Sequence, residues 1–89
     1  MNSRTTVVRR YTKGCTRIDR PTKWGNPFEI GKDGTREEVV TKYREWITAG
    51  DGRYLLDHLH ELKGKQLGCH CAPMACHGDV LAELAEALP

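Results

Sequence analysis

The chain reads as a small single α/β domain over residues 1–89, with a short, mainly parallel sheet of two or three strands covered by three helices. Three observations predict this. Apolar residues recur at helical spacing in three stretches, 39–47, 55–62 and 80–88. Two β-prone runs, 5–11 and 65–71, lie on either side of the first two of these stretches. No internal repeat, low-complexity tract or shift of composition divides the chain. At 89 residues the domain sits near the lower size at which a hydrophobic core suffices alone, so a structural metal would help it.

In the first run, Val7, Val8 and Tyr11 stand among alternating polar residues, a passable strand. Residues 11–28 then lack a helical period and carry several breakers, which predicts a long ordered loop, or a loop with one short strand. Within it, Gly25 permits positive φ, Asn26 before Pro27 favours a turn, and Trp24 and Phe28 flank that turn with large apolar surfaces. Two roles are open to these aromatics, anchoring the loop in the core or offering Trp24 as a stacking wall. In the second role Arg20, Lys23 and Asn26 supply polar contacts to a base or phosphate.

Lys32-Asp33-Gly34 is a turn, and Thr35 with Glu38 three residues on forms a capping box. The helix that follows has Val39, Val40, Tyr43, Trp46 and Ile47 on one face and ends at Ala49-Gly50. Asp51 is placed to cap a second helix with Leu55, Leu56, Leu59 and Leu62 as its stripe, stopped at Gly64. His58 and His60 lie beside that stripe and read as solvated surface histidines. Residues 65–71 form the central strand, and the last helix starts near Cys76 to Gly78, buries Val80, Leu81, Leu84, Ala85 and Leu88, and closes the chain.

Composition and charge bound the function classes. Hydrophobic residues at 38% and charged residues at 29% are ordinary for a soluble globular chain, and no apolar run reaches a membrane span or a signal-peptide core. No membrane partner is expected, and a cytosolic setting is. There cysteines stay reduced, which favours metal binding or thiol chemistry over disulfides. The net charge of +2 is unevenly spread. Residues 1–32 hold eight Lys or Arg against Asp19 and Glu29, and residues 33–89 hold six against ten acids. A basic front of this kind suits a phosphate-bearing ligand or nucleic acid, or else it pairs with the acidic remainder.

The chemistry concentrates in residues 67–79, Leu-Gly-Cys-His-Cys-Ala-Pro-Met-Ala-Cys-His-Gly-Asp, which hold three of the four cysteines and two of the four histidines. In an extended segment Cys69 and Cys71 point the same way and His70 the opposite way, until Pro73 breaks the strand. Cys76 and His77 fall at the positive end of the last helix, where thiolates are favoured. Three readings remain open. Cys69, Cys71, Cys76 and His77 can form a tetrahedral zinc site, with His70 or Cys15 as substitutes for His77. Alternatively Cys71 is a nucleophile over an anion-cradling loop, with His77 as acid or base and Asp79 orienting it, although His77 stands where a phosphatase signature needs arginine. In the third reading the cysteines simply pack under the last helix.

Residues 20–28, Arg-Pro-Thr-Lys-Trp-Gly-Asn-Pro-Phe, together with residues 67–81, resemble the uncharacterised bacterial and phage family called domain of unknown function 4326, a likeness that covers about residues 16–85. The resemblance implies a phage or bacterial cytosolic setting and one shared site for the two loops. A parallel arrangement of the first and last strands would place both loops at carboxyl ends, where α/β domains bind ligands. Together these readings give a domain that binds a phosphorylated or nucleotide-like ligand between the Trp24–Phe28 and Cys69–Asp79 loops, and that acts on it if Cys/His chemistry operates. The rival is a non-enzymatic, zinc-stabilised module that binds nucleic acid or a host protein.

Overall fold

The computed structural model describes residues 4–9, 11–19, 22–69, 74 and 76–88. Strands β1 (Thr6–Arg9), β2 (Thr16–Arg17) and β3 (Gln66–Cys69) form a sheet in the order β1-β3-β2, with both pairings parallel. β1 runs from Thr6 opposite Gln66 to Arg9 opposite Cys69, and β2 sets Thr16 opposite Leu67. The predicted central strand is therefore central, and the 11–28 loop carries one short strand. β2 and β3 are parallel because a long helical excursion separates them. The β1–β2 connection is the unusual one. Residues 10–15 alone take the chain from one edge to the other, across about 10 Å of sheet. Described bonds from Thr12 N to Arg9 O (2.9 Å) and from Cys15 N to Thr12 O (3.1 Å) fold this connection into turns, and Gly14 at φ 80° supplies the left-handed residue.

Helix α1 (Arg36–Ala49) starts on the capping box expected of it: Thr35 Oγ1 accepts from Glu38 N at 3.3 Å, and Glu38 Oε1 accepts from Thr35 N at 3.0 Å. Its apolar face buries Val39, Tyr43 and Ile47. The second helix is a 3-10 helix, Asp51–Glu61, rather than an α-helix. Gly50, not Asp51, occupies its cap, and no side chain bonds there. Leu56, Leu59 and Leu62 recur every three residues, which is the 3-10 period. Gly52 is required at its start, since a Cβ there would lie 2.5 Å from a ring carbon of Trp46.

Helix α2 (His77–Glu86) packs on β1 and β3. α1 and the 3-10 helix pack on each other and on α2, so α2 forms the middle layer. This position explains why α2 buries His77, Gly78, Val80, Leu81 and Ala85. The core joins Ile18, Trp24, Tyr43, Ile47, Leu55, Leu59, Leu62, Leu67, Val80 and Leu81. No helix among the described residues is long and apolar enough to cross a membrane.

An ion pair ties the basic front to the acidic remainder. Lys23 Nζ donates to Glu61 Oε1 at 2.8 Å, and His58 Nδ1 lies 2.9 Å from Glu61 Oε2. These partners, Lys23 first, pull the Glu61 carboxyl from 4.5 down to about 2. Because the folded pKa is depressed, the tie contributes its full stability above pH 4.5 and loses it as pH falls towards 2. The pair is well exposed, so its contribution is small. In acid titrations followed by thermal melting, Glu61→Gln is expected to flatten the part of the stability curve that falls between those two pH values. An unchanged curve would show that the pair contributes nothing.

Candidate functional site

The carboxyl end of β3 delivers Cys69, and α2 begins with Cys76 as N-cap and His77 as first residue. All three are buried, and one ligand atom from each lies within 4.8 Å of the others. The two sulfurs are 2.8 Å apart. His77, only 7% exposed, places Nε2 2.8 Å from the Ile18 carbonyl oxygen, and its ring centroid lies 5.0 Å from that of Tyr43. A carbonyl can only accept, so Nε2 carries the hydrogen and, in the neutral ring, Nδ1 keeps its lone pair. That bond fixes the imidazole tautomer, as the outer hydrogen bond of a metal-bound histidine does.

The start of α2 is built tightly against the sheet. A Cβ on Gly78 would lie 2.8 Å from Ile18 Cδ1 and 3.2 Å from both Cys76 Sγ and Val7 Cγ1. The Gly78 amide donates to Cys76 Sγ at 3.3 Å, Asp79 N donates to the Cys76 carbonyl at 3.0 Å, and Cys76 N donates to Asp79 Oδ2 at 3.1 Å. Asp79 thus caps the helix. Residues two apart on a helix do not face each other, which is why His77 is held by Ile18, in the neighbouring loop. Three amides that an anion cradle would use are engaged within this cap.

The helix terminus does not lower the Cys76 thiol pKa, contrary to the expectation for a thiol at a positive helix end. Its pairing with Cys69 pushes the pKa up, burial adds to this, and the bond from Gly78 opposes it without prevailing. Cys71, Arg20 and His70 lie outside the described residues. Cys15 is half-buried and does not belong to the Cys69–Cys76–His77 group.

The Trp24–Phe28 loop spends its distinctive groups on the fold. Trp24 is 3% exposed, so its indole is core rather than an open stacking wall. Its carbonyl accepts from the Tyr43 hydroxyl at 2.8 Å. The Asn26 side chain accepts from Phe28 N at 2.9 Å and donates to the Val39 carbonyl at 3.3 Å, stitching the turn to α1. Lys23 is in the ion pair with Glu61. Tyr43 links the two loops that the sequence pairs, with its hydroxyl on Trp24 and its ring beside His77. From the sequence, Tyr43 is recognisable only as part of the apolar face of its helix. Contacts at such sequence separations leave no local signal.

Two viral proteins resemble the chain over most of its length. An uncharacterized 12.4 kDa protein of Enterobacteria phage T4, from the nrdA-td intergenic region, is 36% identical over 86 residues, covering 92% of this chain and 78% of its own. An uncharacterized protein of Acanthamoeba polyphaga mimivirus is 39% identical over 70 residues, or 70% of this chain, and the match spans about half of that protein, 52%. No solved structure gives a significant match. The family model described as domain of unknown function (DUF4326) matches residues 1–87, and the chain belongs to that family.

Proposed function

We propose that the chain is a non-enzymatic binding module whose fold is held by a zinc ion on Cys69, Cys76 and His77. The observation that carries this is the convergence of two buried sulfurs and an imidazole within 4.8 Å. The donor set suits zinc, which prefers sulfur and nitrogen and needs no redox chemistry. Zn–S bonds of about 2.3 Å set tetrahedral ligands about 3.8 Å apart, so the sulfur pair opens by about 1 Å on binding. The sequence offers Cys71, two residues after Cys69 and outside the described residues, as a candidate fourth donor. The ion would tie β3, α2 and, through the Ile18 carbonyl, the segment after β2. In a domain this small such a staple supplements a limited core.

The reading with a phosphorylated or nucleotide-like ligand is favoured by the parallel strands, whose carboxyl ends lie on the side where α2 begins. It has less support, because the α2 amides and the Trp24, Asn26 and Lys23 side chains are already engaged. Iodoacetamide labelling in reducing buffer separates these classes, with half-buried Cys15 as internal reference. Cys69 and Cys76 are expected to resist alkylation until a chelator is added, and then to react together. Rapid labelling of either without chelator would favour a nucleophile, and slow labelling in both conditions would leave the pair as packing.

A further inference from the structure

The β1–β2 connection presents an exposed aromatic ring among cationic side chains. Tyr11 is 75% exposed, the most exposed large hydrophobic side chain among the described residues. It stands in the tight edge-to-edge connection, which the bonds of Thr12 to Arg9 and Cys15 to Thr12 hold in turns. The ring is therefore presented from a defined backbone rather than from a loose tip. The Arg17 guanidinium carbon lies 5.8 Å from its centroid, within cation–π range. Arg17 is itself held by Asp19, whose buried carboxylate it meets through both Nε and Nη2. Arg9 and Lys13, both exposed, flank the same turn.

An aromatic ring in solvent with cations around it is the local chemistry of single-strand recognition: a base stacks on the ring, and phosphates meet the cations. A duplex hides its base faces and offers such a ring nothing to stack on. We infer that Tyr11, with Arg17 held by Asp19 and backing one face of its ring and with exposed Arg9 and Lys13 to meet phosphates, forms a platform that binds single-stranded nucleic acid. The charge balance of residues 1–32, eight basic against two acidic, complements a phosphate backbone. This surface names the partner of the binding module, yet it uses none of the proposed zinc ligands, so the two readings fail independently.

Fluorescence anisotropy with labelled oligo(dT), oligo(U) and a mixed-sequence duplex tests the platform on the full chain. The single strands are expected to bind, the duplex more weakly. Tyr11→Ala should raise Kd for single strands by roughly fivefold to a hundredfold, the range that loss of one base–aromatic stack gives, while Tyr11→Phe keeps binding. Lys13→Gln should reduce the slope of log affinity against log salt by about 0.7, one phosphate contact on a single strand. Tyr11→Trp provides a readout that needs no loss of a ring, since stacking should quench the new indole when oligo(dT) is added. Equal affinity for duplex and single strand, an unchanged Kd for Tyr11→Ala, or no quenching in Tyr11→Trp would overturn the proposal.

Discussion

Removing the proposed zinc ion is expected to abolish cooperative folding. Structural zinc in small domains contributes about 10–16 kcal/mol of apparent binding free energy, against net stabilities of about 5–15 kcal/mol for whole domains. Here the proposed ligands join the carboxyl end of β3 to the start of α2, and α2 is the layer on which the sheet, α1 and the 3-10 helix all pack. Losing the proposed ion is therefore expected to loosen the contacts that α2 makes with the sheet, α1 and the 3-10 helix. Thermal melts by circular dichroism in reducing buffer should lose their cooperative transition when a strong chelator is added, and regain it with excess zinc. Cys69→Ser and Cys76→Ser should behave like chelated protein without chelator. Reducing conditions matter because the two sulfurs, 2.8 Å apart, are also close enough to oxidise. An unchanged melting temperature after chelation would mean that packing alone holds this region.

Tyr43→Ala is the second large effect. The side chain is fully buried and does three things: it fills the core, its hydroxyl bonds the Trp24 carbonyl, and its ring lies against His77. Truncating a buried aromatic costs about 3–5 kcal/mol. A domain of this size loses about 4–8 °C of melting temperature per kcal/mol, so a fall of roughly 15 °C or more is expected. Tyr43→Phe separates the contributions. It keeps the ring beside His77 and removes only the hydroxyl, for a cost of about 1–3 kcal/mol. If the two variants melt alike, the ring's packing contributes little and the link between the loops is the hydrogen bond alone.

Much of this fold was legible because its signals are local. The Thr35–Glu38 box announces α1, the β-prone runs announce β1 and β3, and the apolar spacing after Cys76 announces α2 within a residue of its start. The 3-10 form of the second helix was not, because helical spacing in a leucine-rich segment serves both helix types and the crowding of Gly52 under Trp46 is a tertiary fact. In the site, the clustering of Cys69, Cys76 and His77 could be read from their spacing. The partner of His77 could not. Ile18 is far away in sequence and acts through its backbone carbonyl, which carries no side-chain signature, whereas Asp79 looked available but is used in the helix cap. Trp24 and Asn26 show the same limit: a turn with flanking aromatics looks alike whether it faces a ligand or the core, and here the indole faces the core.

Zinc content per chain is the plainest measure of whether an ion on Cys69, Cys76 and His77 holds this fold. Elemental analysis of wild-type protein, purified without added metal and in reducing buffer, is predicted to give about one zinc per chain, and the Cys69→Ser, Cys76→Ser double variant essentially none. Wild-type protein that melts cooperatively while carrying no metal would overturn the zinc assignment.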